Sequence, residues 1–144
     1  MRLALPAVLI AALLVPAASA SAAHVKVFSA TGATLRSFFA YDASFSGGVD
    51  IAAGDATGDG RADIVTVPGA GAPAHVRVFS GSTLVRSFIA GDVGSLGGAT
   101  VASGDGSITV AAGATIRVID GATLATKAFF MPFGPSAGHI AIAA

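Results

Sequence analysis

His24-Val-Lys-Val-Phe-Ser29 returns as His75-Val-Arg-Val-Phe-Ser80 and, more loosely, as Thr115-Ile-Arg-Val-Ile-Asp120. Apolar and polar residues alternate in each copy. Val25 and Val27 therefore fall on one side and Lys26 on the other, and Val76 and Val78 flank Arg77 in the same way. A period of two marks a half-buried strand, and a sequence that repeats itself is read by its repeats first. Each copy continues through a turn into a strand ending in aromatic residues: Arg36-Ser-Phe-Phe-Ala40, Arg86-Ser-Phe-Ile-Ala90 and Lys127-Ala-Phe-Phe-Met131. Gly47-Gly48 and Gly97-Gly98 then open small-residue strands, Val49-Asp-Ile-Ala-Ala-Gly-Asp55 and Ala99-Thr-Val-Ala-Ser-Gly-Asp105.

These patterns predict an all-β chain of four-stranded antiparallel repeats, with Gly, Ser, Asp and Thr in the turns. Alanine-rich strands such as Ile51 to Ala53 suit a crowded place where units converge. Units arranged radially in this way are β-propeller-type blades, here an incomplete propeller of about two to three. The repeat register has the chain opening on the last two strands of one unit, His24 to Ser29 and Leu35 to Ala40. Two full units follow, starting near Val49 and Ala99, and a lone first strand closes at His139 to Ala144. Sheet edges left this way invite pairing with another chain. The expectation is a homo-oligomer through the terminal strands, with a truncated product that stays open as the alternative.

The two complete units differ at one connection. In the first it runs Asp55-Ala-Thr-Gly-Asp-Gly-Arg-Ala-Asp63; in the second it is Asp105-Gly106-Ser107. Asp-Gly turns a hairpin with no help, so the longer loop is not needed merely to reverse the chain. Asp55, Thr57, Asp59 and Asp63 supply side-chain oxygens at its first, third, fifth and ninth positions, and the main-chain carbonyl of Arg61 falls at the seventh. Alternate oxygens around a glycine bend are what a hard cation such as Ca²⁺ needs. Asp and Gly also favour turns for their own reasons. The expectation is one calcium, held by Asp55, Thr57, Asp59, Arg61 and Asp63, and none in the second unit.

The unit resembles the FG-GAP/VCBS repeat, the blade of integrin-alpha-like β-propellers. The Asp-x-Thr-Gly-Asp-Gly-x-x-Asp loop, the Ala-Ala-Gly-Asp before it and the Ile-Val-Thr strand after it carry the likeness, over about Ala22 to Ala144. The resemblance implies a propeller-type blade with calcium at the five positions above. Thr57 stands where that family usually has Asn or Asp, and the second copy departs at the loop.

The 144 residues carry no net formal charge and no cysteine. That gives no electrostatic purchase for nucleic acid and leaves neither a disulfide nor a thiol nucleophile. Hydrophobic residues make up 53% of the chain, much of this being alanine and the first segment. There Arg2 precedes an apolar run, Leu3 to Val15, broken only by Pro6, and Ala18-Ser19-Ala20 and Ala20-Ser21-Ala22 offer cleavage sites. Residues 1–22 therefore read as a signal peptide and 23–144 as the repeat domain. The run is too short for a comfortable span, so no stable membrane span is expected after cleavage, and the mature chain is expected to be secreted.

All acidic residues are aspartate, and no nucleophile elbow, zinc-binding His-Glu-x-x-His or phosphate-cradling loop occurs. The chain reads as a non-enzyme. His24 and His75 hold equivalent strand-opening positions, which favours a structural role. The aromatic strand ends read as ordinary strand core with the basic residues outside. Arg61-Ala-Asp63 resembles an adhesion tripeptide by composition only. Two functions stay open: a calcium-binding module contacting an extracellular protein or surface, and a carbohydrate-binding or accessory module related to an exported hydrolase. The expected partner is thus an extracellular protein or a surface glycan.

Overall fold

The computed structural model describes residues 9–11, 23–135 and 140–143. Most of the expected signal segment, together with His139 and Ala144, lies outside these. The described residues are all-β, in three antiparallel sheets; they form neither a closed barrel nor a closed propeller. The first sheet holds β1 (Leu9–Ala11), β2 (His24–Phe28) and β3 (Thr34–Phe39). The second holds β4 (Val49–Gly54), β5 (Asp63–Pro68), β6 (His75–Ser80) and β7 (Thr83–Ile89) in sequence order. The third repeats it with β8 (Ala99–Gly104), β9 (Ser107–Ala112), β10 (Thr115–Asp120) and β11 (Thr126–Phe130). Strands β4 and β8 begin where the Gly-Gly pairs put them. The lone closing strand expected at His139 to Ala144 does not form over residues 140–143.

Alternation within the strands decides how the sheets stack. Side chains one residue apart point to opposite faces, so a sheet apolar on both faces must be covered twice. Strand β5 is buried along its whole length. Val65 and Val67 meet Val76, Val78, Val101, Ile108 and Val110 in a core shared with the third sheet. Ile64, the residue before Val65, points to the opposite face and joins Phe79, Val25, Val27 and Ala40 in a core shared with the first. The Val-x-Val pair of each sheet thus faces the next sheet along. On the third sheet the equivalent face is covered by the tail, where Ile140 packs on Ala111 and Ile116. Ile108 is among the largest fully buried side chains; Ile108→Ala would cost about 2–5 kcal/mol through lost burial and the cavity left behind.

The small-residue strands converge as expected. Asp50 Oδ2 accepts the Val101 N–H at 2.8 Å, tying β4 to β8. Thr100 Oγ1 donates to the Ile140 carbonyl at 2.9 Å, tying β8 to the tail. Gly54 lets the backbones approach, since a Cβ there would fall 2.6 Å from the Ser103 carbonyl oxygen.

The aromatic strand ends, expected as strand core, are only partly so. Phe38 and Phe88 are partly buried against the cores, but Phe39, Phe129 and Phe130 are about half exposed. Neighbouring residues of one strand cannot both face inward, and the far side of the third sheet has no fourth sheet to cover it among the described residues. Arg117 lies over the Phe129 ring, with 5.3 Å from Cζ to the ring centroid.

A polar junction absent from the sequence reading joins the first two sheets. Tyr41 donates its hydroxyl to the His75 carbonyl at 2.6 Å and accepts from Thr66 at 3.2 Å. Arg77 stacks over its ring and donates to the Ala40 carbonyl at 2.7 Å. Burial pushes the phenol up to about 12, against the opposing pull of the Thr66 hydrogen bond and the Arg77 charge. The next repeat has Gly91 at this point. Both strand-opening histidines bond a serine on the adjacent strand, His24 to Ser37 at 2.8 Å and His75 to Ser87 at 2.7 Å. Burial and, secondly, the Arg77 charge hold His75 below the usual imidazole range.

Candidate metal site

The site grows from the β4–β5 connection. Strand pairing ends at Gly54 opposite Asp63, and residues 55–62 bridge the gap as a loop. Asp55 organises it from the start. Its Oδ1 accepts the N–H groups of Gly58 at 2.6 Å and Asp59 at 3.0 Å, and its Oδ2 accepts that of Gly60 at 2.8 Å. A carboxylate accepting several backbone donors winds the chain tightly around itself. Asp59 in turn accepts the Arg61 N–H at 2.9 Å.

This winding returns the chain to Asp63, the first residue of β5. Asp63 is 1% exposed. Its Oδ2 accepts the Thr57 N–H at 3.1 Å and the Thr57 hydroxyl at 3.0 Å. Its Oδ1 is buried with no hydrogen-bond partner among the described residues. One carboxylate oxygen from each of Asp55, Asp59 and Asp63 lies within 4.8 Å of the other two.

Three carboxylates this close repel in any protein dielectric, and a buried carboxylate oxygen without a partner is costly. A cation placed among them answers both penalties, and oxygen donors alone suit a hard metal ion. The cluster can hold such an ion. Of the five residues singled out in the sequence, the fold brings together the carboxylates of Asp55, Asp59 and Asp63. It anchors Thr57 on Asp63 through backbone and hydroxyl. Arg61 enters through its N–H on Asp59, and its side chain is exposed.

The loop is also docked, which the sequence did not reveal. Ala56 is fully buried in the core between the second and third sheets. The Asp55 carbonyl accepts the Gly106 N–H at 2.8 Å, and the Gly106 carbonyl accepts the Gly121 N–H at 2.9 Å. A hydrogen-bonded relay therefore runs from the loop, through the β8–β9 turn, to the β10–β11 turn. Gly121 lies against the loop, and a Cβ there would overlap the Ala56 carbonyl oxygen.

The corresponding turn of the third sheet has no acidic cluster among the described residues. Asp105 (φ 49°) and Gly106 (φ 69°) form a two-residue hairpin between Gly104 and Ser107, the backbone of a type I′ turn. Ser107, at the register position of Asp63, accepts from Lys127 Nζ at 2.9 Å, and that ammonium also pairs with Asp120 at 3.2 Å. The Thr123 N–H first, and then Lys127, hold the Asp120 carboxyl down at about 2.

A cleft of about 200 Å³ adjoins the site, lined by Val27, Leu35, Arg36, Ala53, Asp63 and Ile64. A scan against protein-family models, a search of curated proteins and a search of solved structures each find no match for this chain.

Proposed function

We propose that the chain is a non-catalytic, calcium-stabilised repeat module of the FG-GAP/VCBS kind, its sheets acting as propeller-type blades. The observation that carries the reading is Asp63 Oδ1, buried and unpartnered beside the carboxylates of Asp55 and Asp59. Asp55, Asp59 and Asp63 provide the charge, Thr57 a hydroxyl and Arg61 a main-chain carbonyl. The ion neutralises the acidic loop, and its role is to fix the loop against the turns it docks on. Contact with an extracellular protein or surface is the function this stabilisation serves. The signal-like first segment supports export to a place where calcium is plentiful.

Calcium titration followed by calorimetry and thermal melting tests it. Extracellular sites of this type bind with Kd of about 10⁻⁴–10⁻³ M. At ten times Kd, linkage adds about 1.4 kcal/mol of stability, and the melting point rises accordingly. An unchanged melting point in saturating calcium, with no heat of binding, removes the reading.

A further inference from the structure

The three sheets share one pairing, and in the first sheet an unexpected segment makes it. In the second sheet β5 lies along β6 with Ile64 opposite Phe79, Val65 opposite Val78 and Thr66 opposite Arg77. In the third, β9 lies along β10 with Ile108 opposite Ile119, Thr109 opposite Val118 and Val110 opposite Arg117. Phe28, Val27 and Lys26 are the repeat equivalents of Phe79, Val78 and Arg77. Among the described residues, the first sheet has no hairpin-linked strand directly ahead of β2. Its place is taken by β1, antiparallel, with Leu9 opposite Phe28, Ile10 opposite Val27 and Ala11 opposite Lys26. The apolar segment that reads as an export signal occupies the position and direction of a repeat strand. It copies β5 residue for residue in register.

We propose that the β1-facing edge of β2 is a strand-acceptor site, held in the full-length chain by Leu9–Ala11 and taken by β2 of a second copy when β1 is displaced or removed. Three observations favour a second copy. An edge strand left with a bare row of N–H and C=O groups is a template for strand addition. Two first sheets joined edge to edge through β2 give β3-β2-β2-β3, four strands, the number found in the second and third sheets. A two-fold axis through Val27, the centre of the β1 register, sets Lys26 of one copy opposite Phe28 of the other. No like charges then face each other across the new pair. The contact is self-complementary and closes at two chains.

The test uses the full chain, residues 1–144, kept uncleaved, beside the same chain carrying Ile10→Pro, which removes a strand donor at the centre of β1. Ile10→Gly, which weakens β1 without a fixed φ, is the second variant and has to give the same mass and the same β2 protection as Ile10→Pro. Mass is read by light scattering and β2 protection by hydrogen exchange, with β5 and β9 amides reporting that the other sheets stay folded. The parent chain is expected to be a monomer with β2 protected, and the variants to double in mass and keep that protection. In the Ile10→Pro background, Phe28→Lys sets lysine against Lys26 and is expected to return the mass to one chain, whereas Phe28→Glu keeps the dimer. A peptide of residues 62–69, the β5 sequence, is expected to compete with dimer formation. Variants that stay monomeric while β2 exchanges at least tenfold faster overturn the second copy as partner. Variants unchanged in mass and protection overturn the acceptor site itself, as does an open-ended series of aggregates.

Discussion

Two connections do the same geometric job at the same place in their sheets. From Gly54 to Asp63 the chain takes a wound loop; from Gly104 to Ser107 it takes Asp105-Gly106 alone. Each leaves the strand ladder at an equivalent residue and returns at an equivalent residue. The short turn finds its stability in two left-handed residues. The long loop spends three carboxylates, one of them buried, and leaves one oxygen without a partner. Each position has a cationic answer. In the third sheet Lys127 supplies it through Ser107 and Asp120. In the second sheet no side-chain cation pairs with Asp55, Asp59 or Asp63 among the described residues, and a metal ion is the proposed one. Turning the chain needs only two residues, and the longer loop goes further by burying Ala56 and docking on Gly106.

The largest effect is expected when the long loop is exchanged for the short one. Replacing residues 55–62 with Asp-Gly removes Ala56 from its core and re-aims the residue-55 carbonyl that accepts the Gly106 N–H. The cost is expected at about 3 kcal/mol from one lost apolar contact and one bared buried donor, read by denaturant unfolding. The β4–β5 hairpin should survive in circular dichroism, and the calcium response should vanish. Undiminished calcium binding would place the ion elsewhere.

Gly121→Ala attacks the docking alone. Its methyl group meets the Ala56 carbonyl, so the loop or the β10–β11 turn has to shift, at about 1–3 kcal/mol for an overpacked site. Calcium affinity should weaken although no proposed ligand is changed. Affinity equal to the parent's would show that the loop is rigid without its neighbour.

Asp59→Ala is a gentler cut. Asp59 is exposed, and without calcium the change should cost no more than about 0.5 kcal/mol. With calcium at ten times the parent's Kd, the rise of about 1.4 kcal/mol should be lost. Equal melting curves for parent and variant in calcium would separate the cluster from metal binding.

The smallest effect concerns pH at the other end of the second sheet. His75 is held below its usual value by burial and Arg77, so the unfolded chain binds its proton more readily than the folded one. Its contribution is therefore present above about pH 6.5 and is lost as pH falls toward the lowered folded value. His75→Gln should flatten that limb of a melting-point profile slightly. An unchanged slope below pH 6.5 would assign the acid sensitivity to other groups.

Much of the fold was legible because the repeats carry their own controls. Val25-Lys26-Val27 and Val76-Arg77-Val78 gave strand faces that the burial follows. Asp105-Gly106 named its own turn, and the Gly-Gly pairs marked strands β4 and β8. The acidic spacing of the loop brought Asp55, Asp59 and Asp63 to one place. Other features depend on what lies across a gap, and local patterns do not encode that. Gly121 reads as one more turn glycine until Ala56 is seen against it. Phe39 and Phe129 read as core because a strand pattern does not say which face will find a neighbour. The β1 pairing was hidden by a stronger signal in the same residues, since an apolar run serves an export signal and a strand equally well.

Tyr41 gives the molecule a use for its own composition. It is the single tyrosine, and the chain has no tryptophan. Near-ultraviolet absorption and intrinsic emission above the phenylalanine band therefore come from one ring, pinned between the first and second sheets by Thr66, His75 and Arg77. The protein carries a native optical reporter for one boundary and none for the next, where Gly91 stands. If the tyrosine signal melts ahead of the far-ultraviolet β signal, the first sheet peels away before the other two. Coincident curves would mean that all three come apart together.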